Sequence, residues 1–150
     1  MHATAARRAA VAGMFYPGDA QALRREVDAC LGAGPVGKGA ESRSGADPSA
    51  KPKLLVVPHA GYVYSGAVAG QAYARLRPHA GRIRRVVVLG PAHRVALRGL
   101  ALPAHDVFET PLGRVAVDPA ARAALAGLPD RKSTRLTSSH VSQTRMPSSA

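Results

Sequence analysis

The sequence predicts an α/β fold with a partly parallel sheet and flanking helices, and three observations predict it. Two short apolar runs, Lys53 to Val57 and Arg85 to Gly90, have the β-branched content of strands buried on both faces. Between them lies a stretch of helical spacing, from Ser65 or Gly66 to about Leu76, so the order strand, helix, strand matches a right-handed parallel βαβ unit. A third group of short candidate strands follows between residues 97 and 117.

The elements can be justified in chain order. Residues 19 to 31 read as an amphipathic helix: Asp19 can cap its first turn, and Leu23, Val27 and Leu31 recur every four residues, with Cys30 beside that stripe on a buried face. The stretch from Gly32 to Pro52 is rich in Gly, Ser and Pro without periodicity and is expected to be a mobile surface loop. After the first apolar run Pro58 stops the strand, and in the following helix Val68, Ala72, Tyr73 and Leu76 form the face expected to pack. Candidate strands then fall at Leu100 to Leu102, Val107 to Phe108 and Arg114 to Val117. The turn Thr110-Pro111-Leu112-Gly113 suits a hairpin between the last two. Asp118 followed by Pro119 is an N-cap and first-turn pair for a helix to Ala126.

From Asp130 the composition changes. Nine of the 19 residues from Lys132 to Ala150 are Ser or Thr, a tract with no apolar face to bury. The string DRKSTRLTSSH also resembles a translated sequencing adapter, so the expected organisation is an N-terminal part of an α/β domain over 1–129 and a disordered, artefactual tail over 130–150. Without the tail the formal charge falls from +12 to +9, because Arg131, Lys132, Arg135 and Arg145 less Asp130 carry +3.

That charge raises nucleic acid as a partner, but the distribution argues against it. The basic residues are scattered in pairs and triplets, and the aromatic content of 4% provides no stacking platform. No apolar run approaches the roughly 20 residues that span a bilayer, and the N-terminus lacks a long apolar segment with a cleavage site, so a cytoplasmic protein without membrane contact is expected. One cysteine excludes an internal disulfide framework and an all-cysteine zinc site. Oligomeric state is left open.

In an open parallel sheet, ligands bind beyond the carboxyl ends of the strands. Both loops at those ends carry a histidine: His59 lies two residues after Val57, and His93 four after Leu89. Neutral imidazoles on two anchored loops are a plausible start of an iron, zinc or copper site, weighed against the blander reading of surface histidines. Asp106 is a further carboxylate candidate, although an aspartate before a strand is more often a turn former. Tyr62 and Tyr64 are read chiefly as packing residues, Ser65 as a helix N-cap, and Arg94 as either an anion-attracting or a solvated charge.

Four segments carry a resemblance. AAVAGMFYPGDAQAL, LLVVPHAGYVYSGAVAGQAYARL, RRVVVLGPAHRV and DVFETPLGRVAVD are similar, in order and spacing, to the signature segments of the Memo (mediator of cell motility) family, also seen as the AmmeMemoRadiSam system protein B family. The resemblance covers most of residues 8 to 127, and PHAGYVYSG together with GPAH is its most specific part. It implies a fold similar to the class III extradiol dioxygenases (LigB-like) and a metal site, iron or copper, with His59 and His93 as ligands. The family's later cysteine has no counterpart here, and Cys30 does not match its motif, so the implied site is incomplete in this chain. Three functions follow as alternatives: a metal-dependent, redox-related and dioxygenase-like protein; a non-catalytic module that takes a peptide, protein or small molecule in the same crevice; and a zinc hydrolase using Asp106, ranked last because no compact HExxH spacing is present.

Overall fold

The computed structural model describes residues 5–33, 50–93, 100–126, 131–134 and 142–145. Most of the Gly32 to Pro52 loop, Arg94, and much of the 130–150 segment lie outside these. The chain divides into two compact units, one formed by Met1–Ala10 with Ile83–Ala150 and the other by Val11–Arg82.

The Val11–Arg82 unit is helical. Helix α1 (Ala20–Gly32) begins at Asp19, whose carboxylate accepts a hydrogen bond from the Ala22 amide at 2.8 Å. This is the N-cap that the sequence predicts. Leu23 on the expected stripe is 3% exposed, and Val27, Cys30 and Leu31 are half-buried. Helix α2 (Tyr62–Ala74) starts earlier than predicted and packs through a different face. Its buried residues are Ser65, Gly66 and Gly70, whereas Val68 and Tyr73 of the expected face are exposed. The reason is how closely α1 approaches. A methyl group added at Gly66 would lie 2.8 Å from Cys30 Sγ, and one at Gly70 would lie 2.5 Å from the Cys30 carbonyl carbon. Residues four apart share a helix face, so Gly66 and Gly70 form a flat strip onto which the Cys30 turn of α1 settles. Burial there pushes the Cys30 thiol pKa up, with Glu26 adding to it.

The other unit holds the strands. β1 (Ala6–Arg7) pairs parallel with β4 (Val107–Thr110), which pairs antiparallel with β5 (Gly113–Ala116), giving a partly parallel three-stranded sheet. The predicted hairpin turn is present. Thr110 Oγ1 accepts from the Leu112 amide and donates to the Gly113 carbonyl, and Gly113 takes a positive φ of 134° that side chains other than hydrogen disfavour. β2 (Arg85–Val88) pairs antiparallel with β7 (Ser142–Arg145), and β3 (Leu100–Pro103) pairs parallel with β6 (Arg131–Thr134). Helix α3 (Pro119–Leu125) is capped by Asp118 as predicted. Ala101, Leu102, Pro103 and Val117 are buried in this unit.

The expected βαβ unit is not formed among the described residues. Lys53 to Val57 is not a strand, and Leu54 and Val56 are 77% and 89% exposed. β2 is a strand, yet Val87 and Val88 are exposed and its partner runs antiparallel. A β-branched run has the propensity for extended backbone, but a strand requires a neighbour to take its amides and carbonyls, and no sequence pattern provides one.

Two carboxylates organise this unit. Asp106 Oδ1 accepts from Arg122 Nη2 at 2.8 Å, its Oδ2 accepts from the Ala5 amide at 3.3 Å, and its own amide donates to the Ala5 carbonyl at 2.8 Å. It thereby ties β1, β4 and α3 together. Asp118, 6% exposed, accepts from the Ala120 and Ala121 amides and pairs with Arg85 at 2.9 Å, joining α3 to β2. The Arg122 hydrogen bond, then the Ala5 amide, holds the Asp106 pKa below its ordinary 3.8; for Asp118 the Ala121 amide does so first, against the cost of desolvation.

Gly70→Ala gains about 1 kcal/mol of helix propensity but meets the Cys30 backbone, so urea unfolding is expected to show a net loss of about 1–2 kcal/mol. Gly66→Ala meets only the sulfur, so adding Cys30→Ala restores Gly66→Ala stability but not that of Gly70→Ala. Because the folded pKa values of Asp106 and Asp118 are depressed, their contribution is complete above 3.8 and is lost as pH falls below it. The urea midpoint should therefore fall as pH is lowered through and below 3.8, and Asp106→Asn should lower it at neutral pH and flatten that acid fall.

Candidate functional site

His59 sits in the stretch between Val57 and α2, with Pro58 before it restricting Val57 to extended backbone. Its side chain is exposed. The two residues after it are held in place. The Ala60 carbonyl accepts a hydrogen bond from Ser65 Oγ at 3.0 Å, and Gly61 caps α2, receiving the Tyr64 and Ser65 amides on its carbonyl. Ser65 is thus not the N-cap expected of it. The N-cap is Gly61, four residues earlier, and the serine lies in the first turn with its hydroxyl turned back onto the loop, 6% exposed.

Tyr62 is half-buried, as the packing reading expects. Its amide donates to the Phe15 carbonyl at 2.8 Å, its ring centroid lies 5.9 Å from that of Tyr16, and burial pushes its phenol pKa up, with Cys30 contributing next. Tyr64 departs from that reading: it is 85% exposed, beside an equally exposed Val63. Leu54, Val56, Val63 and Tyr64 therefore surround His59 in sequence with apolar side chains open to solvent.

His93 follows β2 by five residues, at the end of Gly90-Pro91-Ala92, and is likewise exposed. The two histidines belong to different compact units. Among the described residues no group of three or more His, Cys, Asp and Glu side chains is placed to hold a metal ion. Cys30 is committed to the seam between α1 and α2, and Asp106 to Arg122 and the Ala5 amide, which removes the carboxylate on which the zinc hydrolase reading relied. As donors, two imidazoles suit iron or copper; they supply two ligands of the three or more such an ion takes. Sequence reasoning missed the role of Asp106 as a tie between three segments. Its partners Ala5 and Arg122 are 101 and 16 residues away, and no local pattern reports them.

The comparisons with known proteins agree on one family. The family model for Memo-like proteins matches residues 7–141. A MEMO1 family protein of Aquifex aeolicus is 38% identical over 112 residues, 75% of this chain and 36% of that protein. One from Methanothermobacter thermautotrophicus is 35% identical over 148 residues, 94% of this chain and 50% of that protein. The protein MEMO1 of Xenopus laevis is 36% identical over 113 residues, 75% of this chain and 33% of that protein. The chain thus spans a third to a half of the length of these relatives. With residues 7–141 matched by the family model and relatives above 30% identity from bacteria, archaea and vertebrates, the chain belongs to the Memo-like protein family.

Proposed function

We propose that this chain contributes two ligands, His59 and His93, to a dioxygenase-like metal site for iron or copper in a LigB-like fold, with a redox-related role in the cytoplasm. The observation that carries the reading is the placement of both imidazoles, exposed, on loops after the two apolar runs of a Memo-family chain. Such an ion, when bound, supplies Lewis-acid and electron-transfer chemistry. The chain's own residues supply the neutral donors and their anchoring. The described donors supply two ligands where such an ion takes three or more, so these two by themselves hold metal weakly.

A second reading has one observation in its favour. Leu54, Val56, Val63 and Tyr64, all strongly exposed around His59, suit a module that takes a peptide or an apolar small molecule without catalysis. Among the described residues no helix is long and apolar enough to cross a membrane, so neither reading calls on one.

Anaerobic Fe(II) titration of the full chain decides between them. Under the metal reading His59→Ala and His93→Ala each weaken binding by more than about tenfold, the least that a group merely supporting a ligand contributes. Unchanged affinity in both variants removes the metal reading. Retention of peptide capture in both, with loss on Val56→Lys or Tyr64→Lys, supports the module.

A further inference from the structure

The segment Met14-Phe15-Tyr16-Pro17 has no part in the metal reading, yet it lies against the loop that carries His59. Main-chain bonds fold it into a tight turn: the Gly13 amide donates to the Tyr16 carbonyl at 2.8 Å, and the Met14 and Phe15 amides donate to the Val11 carbonyl at 3.1 and 3.0 Å. Gly13 makes this possible by taking a φ of +80°. The Phe15 carbonyl is thereby presented to the amide of Tyr62, which donates to it at 2.8 Å.

Gly61 closes against the same residue. A methyl group there would lie 3.3 Å from the Phe15 carbonyl oxygen and 3.5 Å from its Cα. The backbone of Gly61, φ −58° and ψ 156°, is open to any residue, so close approach and not conformation calls for glycine. From the other side the buried Ser65 hydroxyl donates to Ala60. Ala60 and Gly61, directly after His59, are thus bonded to the first turn of α2, and Gly61 also lies against the Phe15 backbone.

We propose that the turn Val11 to Tyr16 is a positioning element for His59, acting through the main chain of Phe15 with Ser65 as a second anchor. The inference rests on His59 serving as a ligand and adds how its loop is kept in place before any ligand arrives. A loop ordered in advance loses less entropy on binding than one that must be fixed at that moment.

The test uses the full, metal-free chain and NMR of its histidine rings, with His79 of the same unit as the internal control. Gly61→Val is expected to move the His59 ring signals and to speed exchange of the Tyr62 amide by about tenfold, leaving His79 and the helical circular dichroism as in the wild type. Ser65→Ala is expected to move His59 in the same selective way. Phe15→Ala keeps the carbonyl, so it should move His59 less than Gly61→Val does. Stationary His59 signals with an opened Tyr62 amide would overturn the proposal, as would equal displacement of His59 and His79, which marks general loosening of the unit. Fe(II) added to the wild type reads the ligand role separately. If it leaves His59 unaltered the metal reading fails, while the metal-free signals still decide the positioning.

Discussion

The contact between the Cys30 turn of α1 and the Gly66–Gly70 strip of α2 is the constraint from which the helical unit follows. Neither helix has an apolar face wide enough to bury by itself. Leu23 is the one large side chain of α1 below a tenth exposure, and α2 buries only Ser65, Gly66 and Gly70. What the pair lacks in apolar area it recovers through backbone proximity, since small residues allow dispersion contacts between main chains. That proximity fixes where α2 lies. The start of α2 in turn fixes Gly61 and Ala60, and these fix the backbone from which His59 departs.

The strand-bearing unit depends on a different device. Its strands are short, two to four residues each, and short ladders are weak without further ties. Asp106 and Asp118 supply those ties by joining segments distant in sequence: the first holds β1 beside β4 and reaches α3, and the second caps α3 and reaches β2. Arg7 adds a cation-π contact, its guanidinium 5.4 Å from the centre of the Phe108 ring. These are polar solutions to a problem that a larger core would solve by burial. They make the unit sensitive to the charge state of two carboxylates.

His59 is placed by a loop pinned at its downstream end, and His93 by the Gly-Pro break after β2. As donors, the two imidazoles are of the type that iron or copper accepts. Leu54, Val56, Val63 and Tyr64, close to His59 in sequence, are strongly exposed. The two proposed readings place different demands on the loop, so the histidine and the apolar substitutions separate them.

The sequence by itself determined the features that depend on neighbours in the chain. Asp19 and Asp118 cap their helices as read, Thr110 to Gly113 turns the hairpin, and PHAGYVYSG with GPAH marks the Memo family before any contact is known. Each of these is settled by dihedral preference or by a side chain reaching two or three residues along. Only the tertiary structure decided which runs become strands with partners, which face of α2 is buried, and what Asp106 and Ser65 do. Lys53 to Val57 shows why: its propensity is that of a strand, but pairing requires a second backbone whose position no local pattern encodes. The face of α2 shows it again, because the hydrophobic stripe points to Val68 and Tyr73, while the closest packing is available only where side chains are absent.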